Sequence, residues 1–170
     1  MPSPVGHSLG ALAAGWTAAR PPAERRALVV QTALLALLGC APDLDLLIGR
    51  HSRETHSIGA AVIVASFAAL LRLPVARTRP RIGCAAFLAW ISHPLLDMLS
   101  LDTSVPLGVM FLWPFSTTHY QTGWSVFASI YRNYHEAGFV THNLLATVRE
   151  FAIMAPVAAL VWWRRGHRGI

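Results

Sequence analysis

The sequence predicts an all-α fold: a compact integral-membrane bundle of about five helices, with an irregular or re-entrant segment after the fourth. Three observations predict it. Of 170 residues, 54% are hydrophobic and only 13% are charged, against about 25% charged in soluble domains. The apolar residues come in long runs, and the basic residues gather at the ends of those runs. A soluble domain of this size could bury such a core, but too few charges would remain to cover its outside. The same composition disfavours a disordered tail, a disulfide scaffold, a coiled coil and a typical cytosolic enzyme. The length suits one domain over residues 1–170.

Residues 5–19 read as the first helix, separated from the next by Pro21-Pro22, which a helix interior does not accommodate. Residues 27–48, 57–73 and 82–101 read as the second, third and fourth, 17 to 22 residues each, near the ~20 that cross a bilayer. The uncharged runs inside them are shorter, so those lengths hold only if the acids beside them serve a site rather than solvent. Residues 101–122, punctuated by Pro106, Gly108 and Pro114, read as irregular, and 143–165 as one last helix. There is no internal repeat or low-complexity tract. The first residues lack a basic start followed by an apolar core and a cleavage site, so no removable signal peptide is expected. Cys40 and Cys84 lie in apolar stretches and read as small packing residues.

The net charge of +6 comes from 14 arginines and no lysine. A nucleic-acid protein would spread such charge in stripes over a polar surface, so no nucleic-acid partner is expected. Arg20, Arg25 and Arg26 join the first two helices; Arg72, Arg77, Arg79 and Arg81 join the third and fourth; Arg164, Arg165 and Arg168 follow the last. With helices alternating in direction, all three groups fall on one side, which the positive-inside rule makes cytoplasmic. His7, Asp43, Asp45, His56, His93 and Asp97 fall at the opposite end. The expectation is a multi-pass protein of the bacterial inner (cytoplasmic) membrane with a polar site near its outer face. Trp113, Trp124, Trp162 and Trp163, near run ends, read as interfacial anchors.

Ionisable residues within such segments are costly and are usually functional. His93 and Asp97, spaced i, i+4, share one face of a helix. Imidazole and carboxylate are a normal ligand pair for zinc or manganese, although a hydrogen bond between two buried groups explains the pair equally well. Asp43 and Asp45 sit where a helix ends, an unfavourable place for acids unless a cation or arginine is near. The stretch His51-Ser52-Arg53-Glu54-Thr55-His56-Ser57 supplies two histidines, a charge pair and two hydroxyls ahead of an apolar helix. Thr55 or Ser57 suits a helix cap, which leaves both histidines unexplained. His7 matters because it lands at the same end. His119, His135, His142 and His167 read as loop, surface or tail residues, and Glu150 as a helix start or a supporting acid.

In order, Gly6-His7-Ser8, Pro42-Asp43-Leu44-Asp45, His51 to Ser57 ending Thr-His-Ser, Ser92-His93-Pro94-Leu95-Leu96-Asp97 and Trp113-Pro114-Phe115 resemble the YdjM-like family of bacterial membrane-bound, metal-dependent hydrolases. The resemblance runs to about residue 116, with a vaguer match through Glu150. Where the family usually has His-Arg-Gly, this chain has His51-Ser52-Arg53, so either Arg50 or Arg53 takes the family arginine's place. The pattern is also similar, more distantly, to zinc-dependent phospholipases C and single-strand nucleases. That similarity implies that Asp43, His56 and His93 hold one metal and that Asp97 bridges to a second held by His7. Thr103 and Ala146 stand where those enzymes carry further ligands, so one or two ions are expected, and no third.

The function expected is therefore a membrane-bound metal-dependent hydrolase cleaving a phosphoester, with metal-activated water as the nucleophile. The ligands would be His7, Asp43, His51, His56, His93 and Asp97, zinc the first choice of metal and manganese the second. Arg50 and Arg53 would hold the phosphate, and Asp45 or Glu54 would act as general base or orient a ligating histidine. A site at the membrane edge favours lipid or lipid-linked phosphoesters among membrane lipids. Two other classes remain: a structural or stress-response membrane protein whose His/Asp cluster only stabilises the bundle, and an ion-handling module. Only Gln31, Thr32 and Ser66 offer polarity in the inner halves of the second to fourth helices, thin material for an ion path.

Overall fold

The computed structural model describes residues 1–102 and 105–166; Thr103, His167 and Arg168 lie outside them. Five α-helices follow one another: α1 (Pro4–Ala18), α2 (Arg25–Cys40), α3 (Ile58–Leu70), α4 (Arg79–Met98) and α5 (Phe139–Gly166). Two 3₁₀ segments, Ala41–Ile48 and Glu54–His56, lie between α2 and α3. Among the described residues there is no strand, only isolated bridges that pair Ser100 with Phe127 and Val109 with Tyr120.

Local chemistry accounts for most of the boundaries. The Ser3 side chain accepts from Gly6 N–H to start α1. Glu24 accepts from the N–H groups of Arg26 and Ala27 to start α2, and Ser57 accepts from Ala60 N–H to start α3. The expected single helix over 27–48 changes character at Ala41. Pro42 has no N–H for Leu38, and its ring would crowd that carbonyl, so the chain tightens into the 3₁₀ segment Ala41–Ile48. Gly49 closes that segment at φ +66°, a left-handed conformation that glycine adopts without strain. The expected irregular segment over 101–122 is found, and it extends to the start of α5.

α1 and α4 form the inner pair. α4 packs against α1, α2 and α3, while among the described helices α5 packs on α1 alone. The seam is built of small residues: Ala11, Ala85, Ala86 and Ala89 are wholly buried. Such residues let backbones approach closely where lipid supplies no hydrophobic drive between helices. Gly39 is the tightest point. A Cβ there would collide with the Ala11 side chain and stand 2.8 Å from the His7 carbonyl oxygen.

The helix ends sort as the arginine pattern expects. The α1–α2 turn, the α3–α4 turn and the end of α5 meet around one cavity, while the His/Asp residues gather at the other end of the bundle. Gln31, buried near the arginine end, ties three segments together. Its amide nitrogen donates to the carbonyls of Arg20 (3.1 Å) and Val75 (2.7 Å), and its oxygen accepts from Trp16 Nε1 (3.2 Å).

Two helical stretches are long and apolar enough to cross a membrane: Arg25–Ile48, α2 with its 3₁₀ continuation, and Phe139–Gly166. α3 is apolar, but at 13 residues it is shorter than the 17 expected from the sequence. α2, α3 and α5 turn large apolar side chains outward, among them Leu37, Phe67, Leu145 and Phe151. Cys84 is exposed on α4, not packed as expected, because the helix turns it outward beside Gly83.

Gly39→Ala is expected to lower stability by about 1–3 kcal/mol through overpacking at the α1–α2 crossing. Gly83→Ala, whose new methyl would meet only ordinary contacts at 3.5 Å, should be neutral or slightly stabilising. Thermal unfolding in detergent compares the two, and equal melting temperatures would contradict the close-approach account.

Candidate metal centre

Four segments deliver five candidate ligands to a common point. α1 brings His7, the 3₁₀ segment after α2 brings Asp43, the 3₁₀ turn before α3 brings His56, and α4 brings His93 with Asp97 one turn on. His7, His56 and His93 are fully buried, and Asp97 nearly so. The Nε2 atoms of His56 and His93 face each other at 3.1 Å. Asp97 Oδ2 is 3.2 Å from His93 Nε2 and 3.5 Å from His56 Nε2. Asp43 Oδ1 is 3.5 Å and 3.7 Å from the same two nitrogens. A tetrahedral ion with bonds of about 2.0–2.1 Å has ligand–ligand edges of about 3.3 Å, and these separations scatter around that value.

The outer hydrogen bonds aim the imidazoles. His93 Nδ1–H donates to the Gly39 carbonyl at 2.6 Å, which leaves the Nε2 lone pair facing inward. His56 Nδ1 is 3.1 Å from Asp45 Oδ2, an oxygen that also accepts from the Thr55 hydroxyl at 2.6 Å. Trp90 Nε1 donates to the Thr55 carbonyl at 2.8 Å and fastens this turn to α4. Such partners fix the tautomer of a ligating histidine and raise its basicity. Burial opposes protonation of His56, but the Asp43 and Asp45 carboxylates outweigh it and raise its pKa above the ordinary value. The cluster attracts positive charge.

Buried polar atoms are nearly always hydrogen-bonded. Among the described residues six buried side-chain atoms are not, and five of the six belong to this cluster: both His7 nitrogens, Asp43 Oδ1 and both Asp97 oxygens. His7 stacks on His93 with ring centroids 3.6 Å apart, and its Nε2 lies 3.4 Å from Asp97 Oδ1. Two neighbouring groups, His7 with His93 and Asp97, and Asp43 with His51 and His56, are each close enough together to hold a metal ion. The residues fit such an ion, and nothing in their arrangement selects which metal.

The remaining candidates lie further out. His51 Nε2 is 2.8 Å from Arg132 Nη2. A guanidinium only donates, so that nitrogen accepts and Nδ1–H points to Asp45 Oδ1 at 3.0 Å. His51 Nδ1 also lies 3.7 Å from Asp43 Oδ1, so His51 stands at the edge of the cluster with a hydrogen-bond partner on each nitrogen. Asp45 lies against both His51 and His56, with Oδ1 3.0 Å from His51 Nδ1 and Oδ2 3.1 Å from His56 Nδ1. Glu54 pairs with Arg50 at the half-exposed rim. Its own backbone hydrogen bond, with help from Arg50, holds its carboxyl below the ordinary value. Arg53 is exposed, with no ion pair among the described residues.

Arg132 was not evident from the sequence, and neither was the partner of Glu150, which reads there as a helix start or a supporting acid. Arg132 reaches the site from the irregular segment, and its one signal is that it is the only arginine between Arg81 and Arg149. Glu150, wholly buried, accepts from both the N–H (2.8 Å) and the hydroxyl of Ser3. It ties α5 to the start of α1 one turn before His7. His142 and Asn143 hold the irregular segment to α5, His142 Nε2 donating to the Ser129 carbonyl at 2.7 Å and Asn143 bonding both backbone groups of Tyr131.

A family profile described as YdjM inner membrane protein matches residues 1–169. The chain belongs to the YdjM inner membrane protein family. No match was found among curated proteins or among solved structures. Membership agrees with the two membrane-length apolar helices, and this YdjM-family chain is a membrane protein with a buried His/Asp cluster able to hold a metal.

Asp45→Asn is expected to weaken metal affinity about 10–100-fold by loosening His56. Glu54→Gln at the exposed rim should change it by less than about 2-fold. Competition against a fluorescent chelator measures both, and equal effects would contradict the role assigned to Asp45.

Proposed function

We propose that this chain is a multi-pass, metal-dependent hydrolase of the inner membrane that cleaves a phosphoester of a lipid or lipid-linked substrate. One observation carries the reading: the Nε2 atoms of His56 and His93, both buried, face each other at 3.1 Å beside Asp43 Oδ1 and Asp97 Oδ2, two buried carboxylate oxygens that have no hydrogen-bond donor. Asp43, His56, His93 and Asp97 would hold a divalent ion, zinc first by its liking for mixed nitrogen and oxygen donors. His7 and Asp97 Oδ1 would offer two donors to a second. When bound, the ion supplies Lewis acidity toward a phosphoryl oxygen and lowers the pKa of water.

The chain's own residues do the rest. Asp43 is the donor that solvent reaches, its side chain 25% exposed against 3% or less for His56, His93 and Asp97, so substrate and water enter on its side. Arg132, held against His51, and Arg50 and Arg53 on the same rim bind the phosphate, where planar guanidinium recognition is strongest. Asp45 keeps His56 aimed while the phosphate is engaged. The positive-inside rule puts the arginine-rich end in the cytoplasm and this rim near the outer face, where lipid headgroups lie.

A second reading has its own support. Four protein donors are the full complement of a structural zinc site, so the ion would only lock the bundle. Ion transport is disfavoured, since Gln31 is wholly engaged by Trp16, Arg20 and Val75, and Ser66 bonds back to the Val62 carbonyl.

Detergent-purified protein, its metal counted by mass spectrometry and then screened against lipid phosphoesters, separates these readings. The hydrolase is expected to carry one or two equivalents of metal and to turn over a lipid phosphoester. His93→Ala and Asp97→Ala should lose both, with activity down more than about a hundredfold. Arg132→Ala should keep the metal and raise KM about tenfold. Bound metal that sustains the fold without turnover would establish the structural reading, and absence of metal after reloading would overturn both.

A further inference from the structure

We propose that the arginine-lined cavity at the end of the bundle opposite the His/Asp centre binds the phosphate of an anionic phospholipid. The cavity measures 870 Å³ and is walled by Arg20 from the α1–α2 turn, Arg77 and Arg81 from the α3–α4 turn, and Arg165 from the end of α5. Arg81 and His93 are twelve residues apart on α4, about 18 Å along the helix, so this is a separate place with separate chemistry.

The cavity is short of negative charge. Among the described residues Glu24 is the one acid on its wall, and its oxygens already accept from the backbone N–H groups of Arg26 and Ala27 at 2.9 and 2.8 Å. Among the described residues none of the four arginines forms an ion pair. Four like charges around one space repel one another, a cost that an anion seated between them converts into attraction.

The space is also built rather than incidental. Gln31, only 3% exposed, forms its floor and pins the backbone at Arg20 and at Val75, so the two arginine-bearing turns hold a fixed distance. Pro21, Pro22 and Pro74 stiffen the same turns. A phosphate bound here would meet guanidiniums from three chain segments at once.

The surroundings point to a lipid as the source of that phosphate. Trp162 and Trp163, 44% and 55% exposed, precede Arg165 by less than a turn, and indoles so placed sit at headgroup depth. Leu70 and Leu71, at the end of α3, are 67% and 72% exposed, an apolar surface suited to acyl chains beside the α3–α4 turn. Basic pockets between membrane helices on the cytoplasmic side take anionic headgroups.

Native mass spectrometry and thermal unfolding of the whole protein in neutral detergent, titrated with phosphatidylglycerol, phosphatidylcholine or inorganic phosphate, test this. Phosphatidylglycerol should be retained and should raise the melting temperature; phosphatidylcholine and millimolar inorganic phosphate should do neither. Arg77→Gln with Arg81→Gln should weaken phosphatidylglycerol binding about thirtyfold. Arg72→Gln with Arg79→Gln, which removes equal charge from the same turn outside the cavity, should change it less than about threefold. Without lipid, the first pair should melt no lower than the parent, which separates lost binding from lost folding. Equal weakening in both pairs would reduce the effect to net charge and overturn the site. Protection by inorganic phosphate matching that by lipid would overturn the lipid as occupant, and failure to retain phosphatidylglycerol would overturn the proposal outright.

Discussion

Two imidazole nitrogens aimed at each other across 3.1 Å, inside a fully buried cluster and flanked by two carboxylate oxygens, constrain everything around them. The carboxylate oxygens of Asp43 and Asp97 there lack hydrogen-bond donors, and burial removes the water that would screen them. Positive charge shared between them turns the same arrangement into attraction. The four donors come from the segment after α2, the turn before α3 and two positions on α4, so the charge at the centre also holds those pieces in register. His7 adds α1 to the set by stacking on His93.

The bundle is arranged to let these groups meet. Small residues at the α1–α2–α4 crossings bring backbones close enough for the Gly39 carbonyl to receive His93 Nδ1–H, and a side chain at Gly39 would push away the helix that carries His7. Glu150 reaches from α5 to Ser3 and sets the start of α1. Asp45 and Thr55 hold His56 from behind. Packing at these points therefore serves the site directly, and the apolar residues turned outward on α2, α3 and α5 are left to meet lipid.

Much of this was legible in the sequence because it rests on order and spacing. The helices begin and end within a few residues of where prolines, caps and arginine clusters place them. His93 and Asp97 needed only helical periodicity, and the polar residues at alternate helix ends needed only alternation of direction. Other features were not legible. Pro42 looked compatible with a helix end, yet it turns the last eight residues of the predicted second helix into a 3₁₀ segment. The partners of His51 and Glu150 lie 81 and 147 residues away, and nothing local marks such distant contacts. Arg132 and Glu54 show the same limit from opposite sides: the first joins the site from an irregular segment, while the second, close in sequence, turns to Arg50.

Each end of the molecule has its own cluster: buried carboxylates and imidazoles gather at one, and Arg20, Arg77, Arg81 and Arg165 surround a cavity at the other. The central claim concerns the first. X-ray absorption at the metal edge of the purified, zinc-loaded protein reads the ligand shell directly. The account predicts four light ligands at about 2.0–2.1 Å, with the outer-shell scattering of two imidazoles that disappears to one in His56→Ala. A shell containing sulfur, or oxygen ligands without imidazole scattering, would contradict it.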